Sequence, residues 1–207
     1  MKISYAITVC NELEEVKRLI EFLYLNKRQE DEICVLVDKP KASKELLFEL
    51  YKYETTRWII LKESEFKEHF ANWKNQLMDI CSGSYIFQID ADEIPHINLM
   101  QNLPALLEEN QLIDMIRVPR VNTVEGLTEE HVQKWGWNVN EKGWVNWADW
   151  QMRIYKNTPD IKWKNKVHEV LDGFKTHGML PIEEEWALYH PKTIERQQKQ
   201  NNYYESI

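Results

Sequence analysis

Short apolar runs alternate with segments of helical spacing through the first half of the chain, and this alternation constrains the fold more than any other feature. The apolar runs are residues 3–9, 33–37, 58–61 and 85–89, and the helical segments are residues 12–26, 43–53 and 66–81. Apolar side chains recur at helical spacing within each of those segments. Nearly continuous apolar strands that alternate with amphipathic helices predict an α/β fold, in which helices flank a mainly parallel sheet.

The second half of the chain has a different pattern and predicts a smaller, mixed region. Helices are predicted at residues 99–110 and 193–207, strands at 113–121, 151–155 and 166–171, and turns through 122–149. A length of 207 residues fits one domain. We therefore expect residues 1–207 to form a single domain, divided into a first half (1–95), a second half (96–192) and a C-terminal helix (193–207).

Charge and hydropathy exclude several classes of partner. The chain has 26 Lys and Arg against 34 Asp and Glu, and it contains no long basic block, so a nucleic-acid partner is not expected. No run of 18 uncharged apolar residues occurs, so no transmembrane segment is expected. The three cysteines follow no metal or disulfide spacing, and a cytoplasmic location with reduced thiols is predicted. Peripheral attachment to a membrane and homo-oligomer formation are left open.

Polar side chains follow the apolar runs at the points where the predicted strands end. Asp90 and Asp92 come directly after one strand, Asp38 ends another, and Asn11 and Glu12 follow the first. The carboxyl ends of parallel strands meet at one edge of a sheet, where ligands bind. Carboxylates two residues apart on an extended chain share a face, and Mg²⁺ or Mn²⁺ is often held by one or two carboxylates plus phosphates. The structural alternative is a solvated acidic turn.

Several segments taken together resemble family 2 glycosyltransferases, and most of all their small lipopolysaccharide-core type. The segments that carry the resemblance are residues 8–12, 35–38, 70–75, 81–93, 149–153 and 167–169. Lys74 departs from the family, which usually has Arg there, and residues 39–40 replace its small polar pair. The resemblance implies a GT-A fold with a Rossmann-like sheet, a nucleotide-sugar donor such as a UDP-hexose, and metal-dependent, inverting transfer to a glycan or glycolipid.

The same resemblance assigns roles to individual residues. It places Asp90 near the donor ribose and Asp92 on a metal ion, with His168 as a further ligand and His190 as a weaker competitor. An imidazole ligand favours Mn²⁺ over Mg²⁺. The implied donor pocket contains Thr8, Asn11, Glu12, Asp38, Lys74, Asn75, Asp90, Ala91 and Asp92. Structural alternatives remain, since Lys74 is also compatible with a solvated helix surface and Asn11 with a helix N-cap.

An inverting transfer needs a general base that takes the proton of the acceptor hydroxyl. The candidates are Asp149, Glu169 and Glu93, of which Asp149 is preferred and Glu169 is second. Asp149 lies between Trp147 and Trp150, and burial among these rings is expected to raise its pKa towards the working pH.

Tryptophan is concentrated in the second half, where six of the nine fall between Trp135 and Trp163. Indole rings pack on the C–H faces of sugars and offer a hydrogen-bond donor at their edge. Trp144, Trp147 and Trp150 are therefore predicted to bind the acceptor. The alternative is a small hydrophobic subcore under a long loop, and we expect some rings to serve each purpose.

Two other functions are compatible with parts of the sequence. A nucleotidyltransferase also combines an α/β sheet with an acidic metal site, but it usually needs a Gly-rich basic loop, and residues 9–12 contain neither Gly nor Lys. A carbohydrate-binding module would use the tryptophan cluster, but it would not need carboxylates at strand ends.

Overall fold

A nine-stranded sheet forms the centre of the molecule in a computed structural model that describes residues 1–205, with side chains described to residue 202. The first strands and helices are β1 (Ile3–Val9), α1 (Leu13–Asn26), β2 (Glu32–Asp38), α2 (Lys44–Thr55), β3 (Ile60–Ser64), α3 (Phe70–Met78), β4 (Tyr85–Asp90), β5 (Ile94–Pro95) and α4 (Ile97–Glu109). They are followed by β6 (Met115–Glu125), α5 (Glu129–Trp135), β7 (Val145–Lys156), β8 (Lys162–Lys164), β9 (Val170–Asp172), β10 (His177–Met179), β11 (Leu188–Thr193) and α6 (Ile194–Glu205).

The first four long strands form the parallel layer that the apolar runs predict. Their spatial order is β3-β2-β1-β4, and β1 pairs in parallel with both β2 and β4. One face packs against α1, α2 and α4, and the other packs against α3 and the β8–β9 hairpin. Because both faces are covered, β2 is buried along its whole length. The predicted α/β fold class is confirmed.

The second half extends the same sheet in a mixed arrangement. The order continues as β4-β7-β6-β11-β5, and β7 pairs antiparallel with both β4 and β6. Strand β11 returns parallel to β6. Because β7 lies directly beside β4, side chains of the second half reach the carboxyl end of a strand from the first half.

Several element boundaries differ from those predicted. The third strand begins at Ile60 and not at residue 58, because Trp58 stacks on the ring of Tyr24, 3.8 Å away between centroids. The third helix begins at Phe70 and not at residue 66, because Glu68 has a positive φ of 52° and interrupts helical geometry.

In the second half, the segment predicted as turns contains the start of a long strand. Strand β7 begins at Val145, six residues before the predicted strand. The strand predicted at residues 166–171 is extended only from Val170, since Asn165 and His168 have positive φ values of 77° and 52°. In the described part of the chain no helix is long and apolar enough to cross a membrane. The assignment of residues 1–207 to one domain stays a prediction.

Candidate active site

A cleft of about 850 Å³ lies at the carboxyl ends of β1, β2 and β4 and is bordered by α3, β7, β11 and α6. Most of the predicted site residues line it, namely Thr8, Glu12, Asp38, Lys74, Asp90, Ala91, Asp92, Trp150, His168 and Glu169. Residues that are up to 161 positions apart in sequence are thus brought to one edge of the sheet.

Other predicted residues have contacts outside the lining of this cleft. The side-chain oxygen of Asn11 accepts a hydrogen bond from the backbone of Ser43, at the start of α2. The amide of Asn75 exchanges two 2.9 Å hydrogen bonds with the backbone of Trp163 and ties α3 to β8. These contacts favour positioning roles for both side chains.

The predicted acceptor-binding tryptophans are divided between two environments. Trp144 is 9% exposed and packs with Val121 and Ala187 in a small hydrophobic cluster, against which Trp147 also packs. The rings of Trp144 and Trp147 meet edge to face, 4.8 Å apart between centroids. Trp150 instead lines the cleft. Of these three rings, only Trp150 is therefore positioned to contact a ligand in the cleft.

Asp90, at the end of β4, is paired with a buried guanidinium. Arg153 of β7 donates to its carboxylate over 2.5 Å. Burial alone would raise the pKa of Asp90, but the positive charge of Arg153, aided by Lys74, holds that pKa well below its usual range. Asp90 therefore presents a permanent carboxylate to the cleft.

A chain of alternating charges leads from Asp90 to the predicted base. The Glu93 side chain is fully buried and accepts from Arg153 over 2.6 Å and from Arg120 over 3.0 Å. Arg120 donates in turn to Asp149 over 2.6 Å. Breaking a buried ion pair by removing one partner is strongly destabilising, so this network fixes the two candidate functional carboxylates, Asp90 and Asp149, relative to each other.

Asp149 accepts hydrogen bonds from Arg120, Asn122 and Gln151, and the last two span 2.9 and 2.7 Å. Its side chain remains 28% exposed. Burial raises its pKa, but the Arg120 charge and these hydrogen bonds outweigh burial, and the pKa of Asp149 lies below its ordinary value. The expectation of a raised pKa is therefore wrong, because the sequence does not reveal the arginine on β6.

The Asp92 carboxylate contacts two cationic or titratable side chains. His190 Nε2 lies 3.2 Å from Asp92 Oδ2, and the Arg196 guanidinium lies at the same distance. The other ring nitrogen of His190 contacts Asn122 at 2.8 Å, which fixes the orientation of the imidazole. His168 lines the same cleft. The imidazole seen beside Asp92 is thus that of His190, the histidine that sequence reasoning ranked lower.

The donor groups around Asp92 are compatible with a divalent metal that takes its remaining ligands from phosphate. Among the described residues no group of three or more His, Cys, Asp or Glu side chains could hold an ion by itself. Asp92 and His190 supply one carboxylate and one imidazole, a set that Mn²⁺ accepts well. Mg²⁺ sites likewise use few protein ligands and complete their coordination with phosphate and water.

Positive side chains from β11, α6 and α3 also line the cleft. Lys192, Arg196 and Lys199, from β11 and α6, line the cleft. From α3, the Lys74 ammonium lies 2.5 Å from Glu169 and 4.3 Å from the centre of the Trp163 ring. The cleft therefore combines strand-end carboxylates with several cations, and Arg196 contacts Asp92 directly, a combination that suits a ligand with both hydroxyl groups and phosphates.

Sequence reasoning missed much of this cationic and buried network. Arg153 lies in the 149–153 segment that carried the family resemblance, but no role was assigned to it. Arg120, Lys192 and Arg196 lie in segments without a recognisable motif. The sequence offered a signal for Arg120 alone, which lies near the carboxyl end of the strand predicted at residues 113–121. Strand β6 brings this side chain to the cleft.

Comparison with known proteins gives a family match and similar solved structures. The family model described as "Glycosyl transferase family 2" matches residues 4–176. The crystal structure of S. aureus TarS is similar, with a TM-score of 0.61 and 14% identity over 92% of this chain and 37% of that one. S. aureus TarS 1–349 in complex with UDP-GlcNAc gives a TM-score of 0.61 and 15% identity over 93% of this chain and 59% of that one.

These solved structures confirm the expected GT-A fold, and at such identity they show the fold alone. The chain spans less than two thirds of the length of either TarS structure. A search of curated protein sequences found no match.

Proposed function

Because this chain belongs to glycosyl transferase family 2, we propose that it transfers a sugar from a nucleoside-diphosphate sugar to a hydroxyl group of a glycan or glycolipid. The observation that carries the proposal is the cleft in which Asp38, Asp90 and Asp92, at or just after strand ends, face the cations of β11 and α6. A UDP-hexose is the proposed donor, in keeping with the UDP-GlcNAc complex of the structurally similar TarS.

Each wall of the cleft has a role in this proposal. Asp38 and Asp90 bind the nucleoside, since carboxyl oxygens accept hydrogen bonds from ribose hydroxyls or base N–H groups. Lys192, Arg196 and Lys199 bind the diphosphate. Fixed positive groups aimed at a departing diphosphate stabilise the charge that develops as the glycosidic bond breaks.

Asp92 and His190 are the residues that would hold Mn²⁺ or Mg²⁺, with His168 elsewhere in the cleft wall. When bound, the metal would supply further neutralisation of the diphosphate charge. Arg196, which contacts Asp92, already supplies one positive charge at this position.

Asp149 is the proposed general base of an inverting transfer. Its low pKa keeps it ionised at neutral pH and able to accept a proton, although its basicity is modest. The acceptor oxygen forms a bond to the anomeric carbon while the bond from that carbon to the diphosphate breaks. The hydroxyl proton passes to Asp149, and the diphosphate leaves with the bonding electron pair.

The other two candidate bases are engaged differently. Glu93 is fully buried between two arginines, out of reach of an acceptor. Glu169 lines the cleft but is paired with Lys74 at 2.5 Å. Its more favourable role is to position Lys74 beside the donor.

Calorimetric titration of UDP, with and without Mn²⁺, tests the proposal. We expect wild-type protein to bind UDP more tightly with Mn²⁺, and Asp92→Ala to weaken that binding by at least about tenfold. Asp79→Ala, at an exposed position beyond α3, is the matched control and should bind UDP normally. Release of UDP from a panel of UDP-hexoses provides the activity readout. Failure of wild-type protein to bind UDP in either condition would contradict the proposed function.

A further inference from the structure

A second, smaller cavity of about 220 Å³ adjoins the cleft on the side of β6, β11 and α6. The two cavities have four lining residues in common, Arg120, His190, Lys192 and Gln200. Arg120 also contacts Asp149, and His190 also contacts Asp92. The Arg120 side chain therefore lies between the smaller cavity and Asp149, the candidate base. The His190 side chain lies between the same cavity and Asp92, on the diphosphate side of the cleft.

The lining of the smaller cavity is unusually rich in carboxamides. These are Asn122, Asn146, Gln197, Gln200 and Asn201. A carboxamide donates and accepts hydrogen bonds at once, as does a sugar hydroxyl, so such a lining matches a polyhydroxylated ring.

One aromatic ring completes this wall. Trp137 lines the cavity, is half-buried and is supported from behind by Trp135, 4.7 Å away between centroids. An indole held in this way offers an apolar surface to the C–H face of a pyranose. Trp137 belongs to the tryptophan-rich segment that the sequence predicts to contact the acceptor.

The charged groups of this lining are all committed to partners in the described structure. Arg120 is held by Glu93 and Asp149, and Lys192 donates to Gln200 over 2.5 Å. His190 is held between Asn122 and Asp92. No Asp or Glu is among the described lining residues. Gln200 is neutral and leaves the charge of Lys192 in place, so the lining matches a polyhydroxylated ring and does not exclude one that also carries a negative charge.

We propose that the smaller cavity is the acceptor subsite and that it takes one pyranose ring, an inference that rests on the proposed function. Asn122 connects the subsite to the chemistry, because its amide donates to Asp149 over 2.9 Å and its oxygen contacts His190 at 2.8 Å. The ring binds against the carboxamides and Trp137, and the hydroxyl that accepts the sugar points towards the shared wall.

Saturation-transfer difference NMR on the full chain, with UDP and Mn²⁺ present, tests the subsite directly. The probes are the methyl glycosides of glucose, galactose, mannose and N-acetylglucosamine, compared with methyl glucuronide and glucose 6-phosphate. We expect saturation of at least one neutral glycoside, whether or not the charged probes also bind. Trp137→Ala should weaken the binding of that glycoside by about tenfold.

A pair of variants on α6 supplies a matched comparison. Gln197 lines the cavity, whereas the adjacent Gln198 is exposed and contacts His131. Gln197→Ala should weaken glycoside binding, and Gln198→Ala should not. Both replace a glutamine by the best helix former, so loss of the fold is an improbable cause of any difference.

Calorimetry of UDP on the same samples separates the two proposals. If UDP binds but no neutral glycoside is saturated, the subsite assignment is overturned. The same holds if Trp137→Ala and Gln197→Ala leave glycoside binding unchanged. If glycosides bind and UDP does not, the proposed function fails while the sugar-binding cavity stands.

Discussion

The two halves of the central sheet differ in construction and contribute differently to the cleft. Strands β3, β2, β1 and β4 are parallel and end together, so the first half contributes Asp38, Asp90 and Asp92 from or just after strand ends. The second half uses long antiparallel strands whose side chains enter the cleft from within β6 and β7, as Arg120 and Arg153 do. The first half provides acidic groups for a ligand, and the second provides the cations that fix them.

The difference also shows where the two halves are joined. The buried Glu93 forms ion pairs with Arg120 of β6 and Arg153 of β7. Through these arginines it is linked to Asp149, the proposed base, and to Asp90 on the donor side. The halves are therefore coupled by charge as well as by strand pairing. Variants in one half alone, or at the Glu93 network that links the halves, distinguish what each half contributes to the cleft.

The largest expected effect concerns the second half. Asp149→Asn removes the proposed proton acceptor at nearly constant volume, and turnover should fall by roughly 10²–10⁴, the usual contribution of a positioned base. UDP affinity should stay near normal, because the donor side of the cleft is unchanged. Initial rates of UDP release and calorimetry measure the two quantities. Near-normal turnover in this variant, with loss in Glu169→Gln, would move the role to Glu169.

Removing the charge of Glu93, which links the two halves, is expected to have the next largest effect. Glu93→Gln leaves the buried Arg153 and the partly buried Arg120 without their shared carboxylate, and the free energy of unfolding should fall by about 3 kcal/mol. Glu109→Gln, at an exposed position near the end of α4, is the matched control. Urea unfolding measures both variants, and equal stability of Glu93→Gln and wild type would show that the network does not join the halves.

Acid sensitivity is expected to originate partly in the first half. Hydrogen bonds from Lys2, Ser4 and Ser82 outweigh the effect of burial and lower the pKa of Glu32 from its ordinary value of 4.5 to about 2. A depressed folded-state pKa stabilises the protein above the unfolded-state value and loses that stabilisation as pH falls, here between about pH 4.5 and 2. The loss amounts to about 3 kcal/mol at most.

Glu32→Gln tests this source of acid sensitivity. Stability of the variant, measured by urea unfolding at several pH values, should vary less with pH than that of wild type in this window. If the free energy of unfolding falls equally with pH in the two proteins, the acid sensitivity originates in other residues.

The smallest expected effect refines the account of the base. Gln151 donates to Asp149 over 2.7 Å, and Gln151→Leu removes one of the hydrogen bonds that lower the pKa of Asp149. The acidic limb of the pH–rate profile should move upward by a few tenths of a pH unit, since one hydrogen bond contributes about 1 kcal/mol or less at a half-exposed site. A downward movement would contradict the assignment of Asp149 as the titrating base.

The first half was predictable because its signals are local. The apolar runs at residues 3–9, 33–37 and 85–89 identify the buried strands β1, β2 and β4, and the polar residues after them lie at the cleft by topology alone. The short strands β5, β10 and β11 have no such signal, because they are held by pairing with neighbours that are distant in sequence.

The candidate site was predictable only as far as its strand-end carboxylates. The partners of these groups lie 63 residues away for Asp90 and Arg153, and 98 residues away for Asp92 and His190. Local sequence does not encode which cation reaches which carboxylate across the sheet. For this reason the direction of the Asp149 pKa was wrong, and the histidine that contacts Asp92 was ranked second.

Hydrogen exchange with and without UDP and Mn²⁺ tests most directly whether the donor binds at the strand ends of the first half. The account predicts that backbone amides in residues 8–12, 38–41 and 90–93 exchange more slowly when UDP is present. The opposite end of the sheet, around residues 112–115, should be unchanged. Unaltered exchange at all three strand ends under conditions where UDP binds would contradict the account, because the nucleotide would then lie elsewhere.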